Sequence, residues 1–144
     1  PFHSGQGARN GVVAAMLAAD SFTANPDVFD GRDVTAKAVL IHTGWDRHWG
    51  TEAYFNDHPF LTRDSAEYLK SEGSVLVGID SLNIDDNTDG TRPAHTILLG
   101  GGIPIVEHMC NLDLLPHSGF KFFAVPASVK GMGSFPVRAF AIID

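Results

Sequence analysis

Two residues in the last third of the chain invite chemistry by their type and spacing. In Ile103-Pro104-Ile105-Val106-Glu107, the period-two alternation of an extended run puts Glu107 on the same face as Ile103 and Ile105. A carboxylate is thereby aimed at packed surface, where an ionised group without a partner loses much of its solvation. It needs a cation, hydrogen-bond donors or a metal. His95 precedes it by a short apolar stretch and the Gly100-Gly101-Gly102 turn, so the chain can fold back and bring the two together. A neutral imidazole and a carboxylate are ordinary ligands for zinc or manganese. A hydrogen-bonded histidine beside a salt-bridged glutamate is the commoner arrangement, and spacing does not choose between them.

The elements that must hold these residues follow from local pattern. Pro93 is placed to open a short helix through His95, Ile97, Leu98 and Leu99 that the three glycines end. Asp64-Ser65-Ala66-Glu67 has the spacing of a helix N-cap with a carboxylate three positions on, and Gly73 stands where a left-handed C-terminal residue belongs. Ala8 to Asp20 is Ala-rich, with Val12/Met16 and Val13/Leu17 four apart, which predicts a further helix despite Gly11. Lys37 to His42 and Ser74 to Ile79 read as buried strands, and Ile103 to Glu107, Phe120 to Val125 and Val137 to Ile143 as extended runs. About five strands with two or three helices between them make an α/β domain with a mixed sheet.

Composition narrows the functions available. With 144 residues, 44% hydrophobic and 19% charged, the chain suits one globular core, residues 1–144, and not a disordered segment. Its net charge of −7 and the lack of any Lys/Arg run argue against a nucleic-acid partner. No apolar run approaches the roughly 20 residues that cross a bilayer, so no membrane span is expected. Cys110 is the single cysteine, which excludes an intrachain disulfide and favours a reducing, cytoplasmic setting. The chain opens on Pro1-Phe2-His3, without Met, so its N-terminal portion is expected to be missing.

Three ordered stretches carry a resemblance. His42-Thr43-Gly44-Trp45-Asp46-Arg47-His48-Trp49-Gly50, followed by Tyr54-Phe55 and His58-Pro59-Phe60-Leu61, resembles the loop after a central strand in the cyclase-like metal-dependent hydrolases, the family of bacterial kynurenine formamidase and isatin hydrolase. Val77-Gly78-Ile79-Asp80-Ser81 with Ile84-Asp85 is similar to a second signature, and Ala94-His95-Thr96-Ile97-Leu98-Leu99 leading into Ile103 to Glu107 and Asn111-Leu112 to a third. The likeness extends through Phe123-Ala124-Val125-Pro126 and Gly133-Ser134-Phe135-Pro136-Val137-Arg138-Ala139. It implies the family's swivelling β/β/α fold, a homodimer or homotetramer, and His95 and Glu107 as ligands of a divalent metal, zinc or manganese. The family's remaining ligands lie in a stretch His-x-Gly-Thr-His-x-Asp-x-Pro-x-His, which this chain does not contain. Pro1-Phe2-His3 fits its close, which implies His3 as the general acid/base. The interval from His3 to Thr43 is short for the family, so residues are expected to be absent there too.

The expected activity is cleavage of a C–N bond in a small aryl formamide or cyclic amide by metal-activated water. Trp45, Trp49 and Phe60, with Tyr54, offer an aromatic wall for a flat substrate, although aromatics serve core and subunit interfaces as often. Asp80 and Asp85 are expected to cap turns and orient neighbouring loops. His42, His48, His58, His108 and His117 have no assigned role. Gly5-Gln6-Gly7-Ala8-Arg9-Asn10-Gly11 imitates a dinucleotide loop but lacks room for the strand such a loop follows, and Gly133-Ser134 lacks the nucleophile elbow. The competing reading is a non-catalytic binding or structural domain on the same fold.

Overall fold

The computed structural model describes Val12–Met16, Thr23–Ala24, Phe29 and residues 31–143. Its centre is a parallel sheet of four strands in the order β1 (Val12–Met16), β3 (Ala38–His42), β5 (Leu76–Ile79) and β6 (Ile105–Val106). A second parallel pair joins β2 (Thr23–Ala24) to β4 (Phe60–Leu61), and an antiparallel hairpin joins β7 (Lys121–Ala124) to β8 (Ala139–Ile142). Parallel and antiparallel pairing thus coexist with helices in an α/β fold, in separate sheets.

The sequence of β3 explains why it is central. Ala38 to Ile41 are all buried, the continuous apolar run of a strand covered on both faces. Val39 and Ile41 pack with Val77 and Ile79 against α1 (Arg63–Ser71) and α2 (Pro93–Gly100), through Ala66, Leu69, Ala94 and Leu98. Ala38 and Leu40 point the other way, to Met109, Leu112, Phe120 and Phe122. One face of the sheet therefore carries helices, and the other carries the segment leading into the hairpin. At Gly78 in β5 an added Cβ would lie 2.6 Å from Met109 Sδ and 2.8 Å from Leu40 Cδ2, so glycine admits the chain after β6 close against the sheet.

The helix expected over Ala8 to Asp20 is corrected. Within it, Val12–Met16 is a strand in parallel register with β3, from Val12↔Ala38 to Met16↔His42; the rest of that stretch lies outside the described residues. A short apolar run is ambiguous by periodicity, and here the open edge of β3 supplies backbone partners that local alanine propensity does not outweigh. A smaller correction concerns α1. Its N-cap is Thr62, whose Oγ1 accepts from Ser65 N at 3.2 Å, while Asp64 already sits inside the first turn. Gly73 ends the helix with φ +72°, and Ser74 N donates back to Leu69 O, as its position predicted. The extended run Ile103 to Glu107 pairs with β5 over only two residues, Val77↔Ile105 and Gly78↔Val106. Among the described residues no helix is long and apolar enough to cross a membrane.

Candidate metal centre

All the polar residues of interest gather where the parallel strands end. Such carboxyl edges are where open α/β sheets receive ligands, because the connecting loops converge there. His42 ends β3, Asp80 follows β5, and Glu107 follows β6.

His95 and Glu107 do come together. His95 Nε2 stands 3.6 Å from Glu107 Oε1, and the same carboxylate oxygen accepts from Ile84 N at 2.8 Å. Asp85 holds the other side of the imidazole, with Oδ2 2.7 Å from His95 Nδ1. Asp85 also caps α2, accepting from Ala94 N at 2.6 Å and His95 N at 3.1 Å. One buried carboxylate thus fixes both the start of the helix and the ring that the helix carries. With Nδ1–H donating to Asp85, the lone pair of Nε2 faces Glu107, the arrangement in which an outer carboxylate orients a metal-ligating histidine.

The types and spacing of these two donors suit part of a divalent-ion site, not a complete one. Two ligands at roughly 2.0–2.2 Å from a tetrahedral centre stand about 3.4 Å apart, close to the observed 3.6 Å. Asp85 lies behind the imidazole and does not share that point. No group of three His, Cys, Asp or Glu side chains able to hold a metal occurs among the described residues. His3 lies outside the described residues.

Asp80 forms a separate anchor. It is buried, and its carboxylate accepts from Thr43 Oγ1 at 2.6 Å, Thr43 N at 2.8 Å and Gly44 N at 2.7 Å. These bonds pin the loop after β3 at Gly44, which has φ +72°. Burial nevertheless pushes the Asp80 carboxyl above its ordinary range, against the lowering by those donors and by His42. His42 Nε2 is 3.8 Å from Asp80 Oδ2, and its Nδ1 is buried without a hydrogen-bond partner among the described residues.

The aromatic residues divide. Trp45 serves its own loop, donating from Nε1 to Tyr54 O at 3.1 Å and packing on the His48 ring. Trp49 is 65% exposed and meets the Tyr54 and His108 rings edge-on. Phe60 is half-buried on β4 and lines a shallow cleft with Arg63, Asp86, Asp89 and Pro93. Tyr54 is 2% exposed, with its hydroxyl 2.9 Å from His108 Nδ1. Its phenol is pushed up to about 12, first by burial and then by the negative charges of Asp80, Asp46 and Glu107.

The sequence reading of Asp80 and Asp85 as caps agrees with their hydrogen bonds. It missed that Asp85 also reaches the imidazole, that Tyr54 pairs with His108, and that Arg92 lies over His95. The signal for Asp85 was present only as a cap-forming residue ahead of Pro93, with nothing to show where its second oxygen points.

Comparison with known proteins bears on the fold and the family of this chain. Residues 15–86 match the family described as "Putative cyclase". The kynurenine formamidase of Bordetella avium is 30% identical over 109 residues, covering 74% of this chain and 50% of that protein. That of Geobacillus thermodenitrificans is 33% identical over 102 residues, covering 70% and 47%. Among solved structures, isatin hydrolase A from Labrenzia aggregata superposes with a TM-score of 0.81 at 25% identity, covering 91% of this chain and 59% of that one. A potential metal-dependent hydrolase with cyclase activity superposes at 0.77 and 22% identity, over 90% and 62%. The chain spans about half the length of the curated relatives it matches.

Proposed function

This chain belongs to the cyclase family, and from that premise we propose that it supplies half of the active site of a metal-dependent hydrolase that cleaves the C–N bond of an aryl formamide or cyclic amide. The observation that carries the reading is the chain of contacts from Asp85 through His95 to Glu107. His95 Nε2 and Glu107 Oε1 would hold the divalent ion, zinc or manganese. When bound, such an ion polarises an amide carbonyl and acidifies water toward a pKa of about 7.

The chain's own residues do the rest. Asp85 keeps the proton of His95 on Nδ1, so that Nε2 remains a donor of its lone pair. Ile84 N fixes one oxygen of Glu107 in place. Trp49 and Phe60, exposed and half-exposed, are suited to a flat ring; Trp45 backs them by holding the loop. His3 delivers a proton to the departing nitrogen. The exposed apolar side chains of Leu114, Val125, Met132, Phe140 and Ile143 support a homodimer or larger assembly, and the free Cys110 supports a reducing cytoplasm.

Elemental analysis of the purified protein tests this reading. One or two divalent ions per chain, lost in His95→Ala and in Glu107→Ala, are expected, together with hydrolysis of aryl formamides or cyclic amides by the loaded protein. A protein that takes up neither zinc nor manganese would sink the proposal and leave a binding or structural domain on the same fold.

A further inference from the structure

Arg92 is one of five non-glycine residues with positive φ among the described residues. It precedes α2 with φ 45° and ψ 62°, the left-handed region. For a residue with a Cβ that conformation is strained, and glycine or asparagine would hold the turn with less strain. The backbone at position 92 thus gives no reason of its own for an arginine side chain.

That side chain sits at the candidate centre. Arg92 Nη2 is 2.9 Å from His95 Nε2 and 3.1 Å from His95 Nδ1. A nitrogen nearly equidistant from both ring nitrogens and lying in the ring plane would collide with Cε1, so the guanidinium lies over the face of the imidazole. The in-plane lone pair of Nε2 stays clear for a metal. Arg92 forms no ion pair with a carboxylate among the described residues, although four acids surround it in sequence or space. Asp85 is committed to α2 and His95. Asp86 is turned onto Thr88 N and Oγ1, and Asp89 onto Thr91 N and Oγ1, which holds both below the usual carboxylate range. Glu107 Oε1 faces His95 and Ile84 N. An exposed guanidinium, with donors to spare, is left beside the ring that would hold the metal.

We infer that Arg92 is a specificity-determining residue, and that it selects substrates bearing a carboxylate next to the scissile amide. The planar fork of a guanidinium matches a carboxylate through two parallel hydrogen bonds, which a neutral substituent cannot return. The inference rests on the hydrolase reading above.

The test compares 2-formamidobenzoate with formanilide, its analogue without the carboxylate, in the metal-loaded protein and its Arg92→Asn and Arg92→Lys variants. Asparagine accepts the left-handed backbone, so lost recognition cannot be assigned to strain, and elemental analysis checks that each variant holds its metal. The expected result is a preference in kcat/KM for 2-formamidobenzoate that falls about ten- to a hundredfold in Arg92→Asn, the range for a lost charge-assisted pair, and returns in part in Arg92→Lys. Calorimetry with benzoate should show a parallel loss of affinity, without a matching loss for benzamide. An unchanged preference in Arg92→Asn, or sulfate displacing benzoate as well as a carboxylate does, overturns the assignment. If neither formamide is hydrolysed, the hydrolase reading fails by itself, and the benzoate titration still decides whether Arg92 reads a carboxylate.

Discussion

Asp80 and Asp85 both follow β5, and both are almost fully withdrawn from water, at 0% and 1% exposure. Asp80 spends its oxygens on Thr43 and Gly44, groups that have no further contact with the candidate centre through it. Asp85 spends one oxygen on the end of α2 and lends the other to an imidazole whose second nitrogen is still available. A buried carboxylate whose donors all belong to one neighbouring loop is an anchor. One whose partner has a second face turned to the site passes orientation onward. Burial alone does not separate the two; the unused valence of the partner does.

The comparison breaks most visibly at Asp80. Asp80→Ala strands two backbone N–H groups and a hydroxyl, so a loss of about 3 kcal/mol or more in urea unfolding is expected, with metal affinity in the surviving folded fraction little changed. The pH dependence has a definite sign. Because burial raises the Asp80 carboxyl above its ordinary 3.8, the folded protein holds that proton more tightly than the unfolded chain does. Its contribution to stability is complete below the unfolded value and is lost as pH rises through the folded one. The difference in unfolding free energy between wild type and Asp80→Asn, followed from about pH 3 to about pH 8, should therefore shrink or reverse as pH rises. A difference that grows with pH would show that the hydrogen bonds, not burial, dominate.

Asp85→Asn should do the opposite. The amide oxygen can still accept from Ala94 N but the amide nitrogen cannot accept from His95 N, so stability falls by about 1–2 kcal/mol. The amide cannot hold the Nδ1 proton as a carboxylate does, and zinc affinity measured against a chromophoric chelator should fall about ten- to a hundredfold. Wild-type affinity in that variant would erase the distinction between the two acids. Thr43→Val is the smallest test. Losing the 2.6 Å bond to Asp80 and the acceptor for Trp45 N should cost about 1–2 kcal/mol and leave zinc affinity alone.

What was legible in the sequence was what is local. Gly73 and Pro93 each act over a few residues, and each is where the pattern put it. The pairing of His95 with Glu107 was foreseeable because a three-glycine turn connects them. The strand at Val12–Met16 was not, since its decisive partner is β3, more than twenty residues on. Thr62 and Asp64 are both competent caps, and only the entry angle of the chain selects between them. Arg92 escaped notice because an exposed arginine beside a proline has no pattern to read.

Gly78 gives the site a mechanical dimension. Met109 lies two residues past Glu107, and its Sδ occupies the volume that any side chain at position 78 would claim. Met109 N and His108 N are meanwhile tied to Ile79 O and Ser81 O. The strand and the segment bearing the carboxylate therefore approach closely, and a methyl group at position 78 would have to displace the ends of the Met109 and Leu40 side chains. The distance between Glu107 and His95 is in this sense gauged from the opposite side of the sheet, by an absent side chain. An alteration at 78 would press on that segment before it touched any polar group of the centre.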